Sequence, residues 1–108
     1  PWPKTRALMQ RLQRWIDDGD DTDFAALFAA LADEQPAPDE QLPDTGVGLE
    51  LERRLSSAFI RGADYGTRAS TVVAIDHDGA GVIAERRFGP EARYLGETLL
   101  RFGSLSLA

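Results

Sequence analysis

Tyr65-Gly66-Thr67-Arg68-Ala69-Ser70-Thr71-Val72-Val73-Ala74-Ile75-Asp76, answered by Gly81-Val82-Ile83-Ala84-Glu85-Arg86-Arg87-Phe88, is the stretch on which the fold turns. Both legs are rich in β-branched residues. Between them Asp76-His77-Asp78-Gly79-Ala80-Gly81 supplies the Asp and Gly that a tight reversal needs. The pattern predicts a long antiparallel hairpin. Val72-Val73-Ala74-Ile75 and Val82-Ile83-Ala84 are continuous apolar runs rather than strict alternations, which predicts a sheet covered on both faces. The first leg starts with small polar residues and one Arg and ends in apolar ones. A site is therefore expected at the strand's entry.

Working outward, Leu8, Leu12, Trp15 and Ile16 recur at helical spacing after Pro3, predicting an amphipathic helix from about Lys4 to Asp17. Asp17-Asp18-Gly19-Asp20-Asp21 stops it. Thr22 or Asp23 then caps a second helix with an acidic first turn, whose stripe is Phe24, Leu27, Phe28 and Leu31, about three turns in all. Pro36, Pro38 and Pro43 mark residues 34–48 as an acidic surface loop. Leu49 to Leu55 suits a short helix or strand, and Glu97 to Phe102 a last strand, with a frayed tail after Gly103. The expected organisation is α+β: a helical part over 1–33, the loop over 34–48 and an antiparallel strand part over 49–108, together one partial domain. A hairpin covered on both faces needs a second layer, and the helices supply only one. The other face calls for a missing half or a second copy of the chain.

The 108 residues carry a formal net charge of −6, which argues against nucleic acid, whose phosphates need a basic face. The same charge disfavours anionic membrane surfaces. There is no cysteine, hence no disulfide, thiolate metal site or Cys nucleophile in these residues. No run is long and apolar enough to insert in a membrane, and a cytoplasmic setting is expected. The chain opens on Pro1-Trp2-Pro3-Lys4, without Met, and is read as an internal fragment.

Leu55-Ser56-Ser57-Ala58-Phe59-Ile60, the Tyr65-Gly66-Thr67-Arg68-x-Ser70-Thr71 core, Asp76, Gly79 and Glu85-Arg86-Arg87-Phe88 resemble the C-terminal part of the NRDE family, also called the transport and Golgi organisation protein 2 family. Pro1-Trp2-Pro3-Lys4 and Leu42-Pro43-Asp44-Thr45-Gly46 fit the same family, so the resemblance runs along nearly the whole chain. It implies an N-terminal-nucleophile-hydrolase-like αββα sandwich. The family's Cys after the initiating Met and its Asn-Arg-Asp-Glu motif have no counterpart here, so no catalytic residue is carried over. Haem trafficking and acyl-group metabolism, linked to the family, make haem or an acyl group the expected ligand.

Arg68 leads the candidate site residues. A guanidinium at a strand entry, beside hydroxyls, can hold a carboxylate, a phosphate or a developing oxyanion. The plainer reading pairs it with Glu85 across the hairpin. Tyr65, Thr67, Ser70 and Thr71 are its neighbours; on a regular strand Arg68 and Ser70 share one face while Thr67, Ala69 and Thr71 share the other. Other candidates are weaker. Pro1 as an N-terminal base is disfavoured by the helix that follows, and His77 reads as a solvated turn residue. Asp76-x-Asp78-Gly79 lacks the later ligands of a calcium loop. Ser56-Ser57 sits in no nucleophile elbow, and no metal site is expected. Three function classes follow: a module that binds or traffics an amphipathic ligand, an amidohydrolase-like enzyme whose nucleophile lies in the missing half, and a fragment that folds by self-association.

Overall fold

The computed structural model describes residues 2–19 and 23–103. Three helices precede a three-stranded antiparallel sheet. Helix α1 spans Pro3–Asp18 with Pro3 in its first turn, and Gly19, at φ 77°, closes it by donating its N–H to the Ile16 carbonyl (3.2 Å). Helix α2, Ala25–Leu31, is shorter than expected and its first turn holds no acid. Asp23 still serves the helix start: its carboxylate accepts the Ala25 N–H at 2.9 Å. Thr22, the alternative cap, lies outside the described residues, as do Pro1 and the tail beyond Gly103.

The segment Leu49–Leu55 is a helix, α3, with Glu50 and Glu52 in its first turn and Arg53 and Arg54 in its last, the charge order that suits the helix dipole. The Pro-rich segment before it is irregular apart from a 3-10 turn at Asp39–Gln41. Ser56 anchors this segment: its hydroxyl donates to the Arg53 carbonyl (2.7 Å) and accepts the Ala37 N–H (2.8 Å). Ser57 donates to the Phe59 carbonyl. These buried hydroxyls hold the loop, which accounts for Ser56-Ser57 without catalysis.

Strands β1 (Ala69–Ile75), β2 (Gly81–Phe88) and β3 (Tyr94–Phe102) lie in the order β1-β2-β3, with Val72 opposite Ala84 and Ala84 opposite Leu99. The hairpin turn is closed by Asp76, whose carboxylate accepts the N–H groups of Asp78 (2.9 Å) and Ala80 (3.1 Å). Strand β1 starts four residues later than expected, because Tyr65 to Arg68 form a loop. Strand β3 starts three residues earlier.

The described residues cover one face of the sheet, the one the helices were expected to supply, and leave the other open. Burial alternates along β1: Ser70 and Val72 are covered by the helices, whereas Val73 and Ile75 are more than half exposed (56% and 63%). The core lies on the helix side, where Phe28 of α2 packs with Val72 and Ala84, flanked by Phe24, Leu27 and Leu31. Arg86 stacks its guanidinium 4.1 Å over the Phe28 ring while pairing with Glu97 at 2.7 Å. A second cluster sets Phe59 edge-on to Phe88 at 4.9 Å, and the Phe59 N–H donates to the Asp33 carbonyl (2.8 Å), tying the end of α2 to the sheet.

Candidate functional site

The entry to β1 is built by a loop held at both ends. Thr67 donates its N–H to the Ile60 carbonyl (2.8 Å), and its hydroxyl accepts the Ile60 N–H (2.9 Å). Gly66 lies so close to this pair that a Cβ there would stand 2.6 Å from the Ile60 carbonyl oxygen, so only glycine fits. On the far side the loop meets the turn between β2 and β3. Glu91 donates its N–H to the Gly62 carbonyl (3.0 Å), and Arg61 donates to the Glu91 carbonyl (2.8 Å). Glu91 and Ala92 take φ of 57° and 60°, a left-handed conformation that costs non-glycine residues roughly 1–2 kcal/mol each. The bonds to Arg61 and Gly62 offset that strain.

At this corner Arg68 is exposed and its donors are barely used: Nη1 lies 3.5 Å from the Thr67 carbonyl and 3.4 Å from that of Gly89. It does not pair with Glu85, the partner expected in the plainer reading. Glu85 stands opposite Thr71, whose hydroxyl donates to it at 3.4 Å. Among the described residues Arg68 forms no ion pair, unlike Arg53 with Asp39, Arg61 with Glu34 and Arg86 with Glu97. Hydrogen bonds from Arg61 and Arg53 hold the Glu34 and Asp39 carboxyls below their usual pKa range.

The five candidates do not converge on one pocket. Tyr65 and Arg68 are exposed at the corner; Thr67 is spent on Ile60. Ser70 is buried on the helix side, and Thr71 lies on the open face. The expected split of Ser70 from Ala69 and Thr71 holds on β1, but Thr67 and Arg68 precede the strand. The open face itself is graded. Val73, Ile75, Ile83, Leu100 and Phe102 make one end apolar. Toward the β1 entry come Thr71 with Glu85, then Arg87, which donates to the Thr98 hydroxyl.

Sequence reasoning missed Lys4, which donates to the Leu55 carbonyl at 2.6 Å and reaches that of Ser57 at 3.4 Å. It borders a cleft of about 230 Å³ with Arg11, Asp33 and Pro36, and partial burial lowers its pKa. Its only signal was a lysine beside the Pro-Trp-Pro opening. Among the described residues no cluster of His, Cys, Asp or Glu could hold a metal ion, and no helix is long and apolar enough to cross a membrane.

Comparison with known proteins identifies a family for the chain. The sequence model of the Transport and Golgi organisation 2 family matches residues 1–90. The chain belongs to that family. It is 33% identical over 93 residues to the Transport and Golgi organization protein 2 homolog of Bos taurus, covering 80% of this chain and 34% of the relative. The chain thus spans about a third of that relative's length. No solved structure matches. The matched segment contains α1, α2, α3, β1, β2 and Arg68, whereas all of β3 lies beyond residue 90.

Proposed function

We propose that this family module binds an amphipathic, anionic ligand of the haem or acyl kind, using the open face of the sheet as one wall and Arg68 as the anion contact. In this reading the layer of three strands under helices is half of an αββα sandwich, in a cytoplasmic setting. The observation that carries the reading is the gradient on the open face. An apolar ligand body gains by covering Val73, Ile75 and Leu100, about 25 cal/mol per Å² removed from water. Its acidic group then reaches the polar end of that face, where Arg87 lies, and Arg68, exposed at the sheet's rim next to the Ala69–Arg87 pair, meets it from the edge. Arg68 suits this task because its guanidinium, held only by long bonds to two carbonyls, pairs with no carboxylate among the described residues, and a charge-assisted bond to a carboxylate is roughly twice as strong as a neutral one.

The test is titration of the chain with hemin, followed at the Soret band, and with palmitoyl-coenzyme A, followed by calorimetry. Saturable binding of at least one probe is expected. Arg68→Ala should weaken it about tenfold, the loss of one charge-assisted contact worth about 1.4 kcal/mol, at an unchanged melting temperature. Leu100→Asp should abolish it. Equal affinity in all three proteins would refute the reading and leave an enzyme with its nucleophile outside these residues as the better account.

A further inference from the structure

Among the described residues strand β1 is an edge of the sheet, and the side left unpaired can be identified residue by residue. The Phe88 N–H donates to the Arg68 carbonyl (2.7 Å) and the Asp76 N–H to the Ala80 carbonyl (2.9 Å), bracketing the strand at its two ends. Antiparallel bonding recurs at every second residue, and the β1–β2 register is continuous from Ala69–Arg87 to Ile75–Gly81. The even-numbered residues of β1 therefore bond to β2. Ala69, Thr71, Val73 and Ile75 direct their N–H and C=O groups away from the sheet.

A cleft of about 250 Å³ runs along that same edge. It touches four consecutive residues, Thr71 to Ala74, which side chains alone could not do, because they alternate between faces. Its opposite wall is α1, through Leu8, Leu12 and Trp15, with α2 as its floor. Helix α1 buries no residue, and Leu12 and Ile16 on its apolar stripe are 45% and 56% exposed. Trp15 fastens α1 to the start of α2, donating to the Asp23 carbonyl at 2.8 Å. An amphipathic helix is thus held beside an unpaired strand edge with its apolar side unfilled.

We propose that β1 accepts a further β-strand along this edge, beneath α1, and that the strand comes from the part of the family's polypeptide that the bovine relative carries outside the matched segment. That part is about two thirds of the relative's length, ample for a strand of seven residues. A second copy pairing through its own β1 would bring its own α2, which packs on that strand, toward the place beside the edge where α1 stands. The incoming strand carries apolar side chains at the positions opposite Ser70, Val72 and Ala74, where they meet Leu8, Leu12 and Trp15. This inference does not depend on which ligand the open face holds.

The experiment is amide hydrogen exchange by NMR on the 108-residue chain, alone and with the separately expressed remainder of the bovine relative. The Val72 and Ala74 amides should be protected in both samples. Those of Thr71 and Val73 should exchange freely in the first and slow by about 100-fold or more in the second. Thr71→Pro removes one outward N–H without touching the ladder to β2 and should abolish the complex. Leu12→Asp alters a side chain already exposed here and should weaken binding at least tenfold while leaving the chain's own protection intact. The proposal is overturned by absence of binding, by binding without slowed Thr71 and Val73 exchange, or by a concentration-dependent dimer of the chain alone that protects these amides.

Discussion

Thr67→Val separates a structural role from a ligand contact at the corner of the candidate site. Valine keeps the volume and β-branching of threonine, so the change amounts to losing the hydroxyl that accepts the Ile60 N–H at 2.9 Å. The Thr67 N–H bond to the Ile60 carbonyl remains. An N–H left facing a methyl group costs about 1–3 kcal/mol, and Ile60 is only half-buried, so water relieves part of this and about 1–2 kcal/mol is expected. At roughly 4–8 °C per kcal/mol for a domain near this size, the melting temperature should fall by about 5–15 °C. Urea unfolding should show a lower midpoint at an unchanged slope. Thr67→Ser, which keeps the acceptor, should stay within a few degrees of the parent. Below its melting transition Thr67→Val should bind hemin or palmitoyl-coenzyme A as the parent does. A melting temperature equal to the parent's, or a tenfold loss of binding in folded Thr67→Val, would refute the structural assignment.

Two further outcomes follow from the packing and the ion pairs. Phe28→Ala removes the centre of a small core and the ring beneath Arg86, and should cost about 3–5 kcal/mol, read as loss of the cooperative thermal transition or a fall of more than 12 °C; a milder effect would mean that the core lies elsewhere. Acid should destabilise the fold through Glu34 and Asp39. Their folded pKa values lie below the ordinary 4.5 and 3.8, so the unfolded chain binds protons more tightly, and stability present above those values is lost as pH falls through the folded ones. Both pairs are exposed, so the effect is small, and melting curves from pH 7 to 3 should flatten in the double variant Glu34→Gln, Asp39→Asn. An unchanged slope in that variant would assign the acid sensitivity to other groups. Lys4 acts in the same sense in an alkaline window: burial lowers its pKa, so the unfolded chain again binds the proton more tightly and stability rises with pH between the folded value and the ordinary 10.5.

Much of this protein was legible along the chain because the signals are local. The 3.6-residue recurrence of Leu8, Leu12 and Trp15 and the Asp-Gly cluster at 76–79 act over a few residues, and α1 and the hairpin stand where that spacing puts them. The motif around Tyr65 to Thr71 was specific enough to indicate the family that residues 1–90 match. Local pattern could not decide what lies across a gap in sequence. A continuous apolar run such as Val72 to Ile75 says that both faces of a strand avoid water, not which face these residues themselves cover; only the placement of α2 over Val72 and Ala84 decides that, leaving Val73 and Ile75 exposed. The Tyr65–Thr71 candidates were grouped by adjacency, yet long-range bonds sort them: Ile60 claims Thr67, Glu85 claims Thr71, the helices cover Ser70, and Arg68 keeps its donors free of any carboxylate among the described residues. Composition and spacing set the elements because hydrogen bonding and side-chain periodicity are short-range. The free edge, the open face and the uncommitted guanidinium arise from how those elements pack, which only the tertiary structure decides.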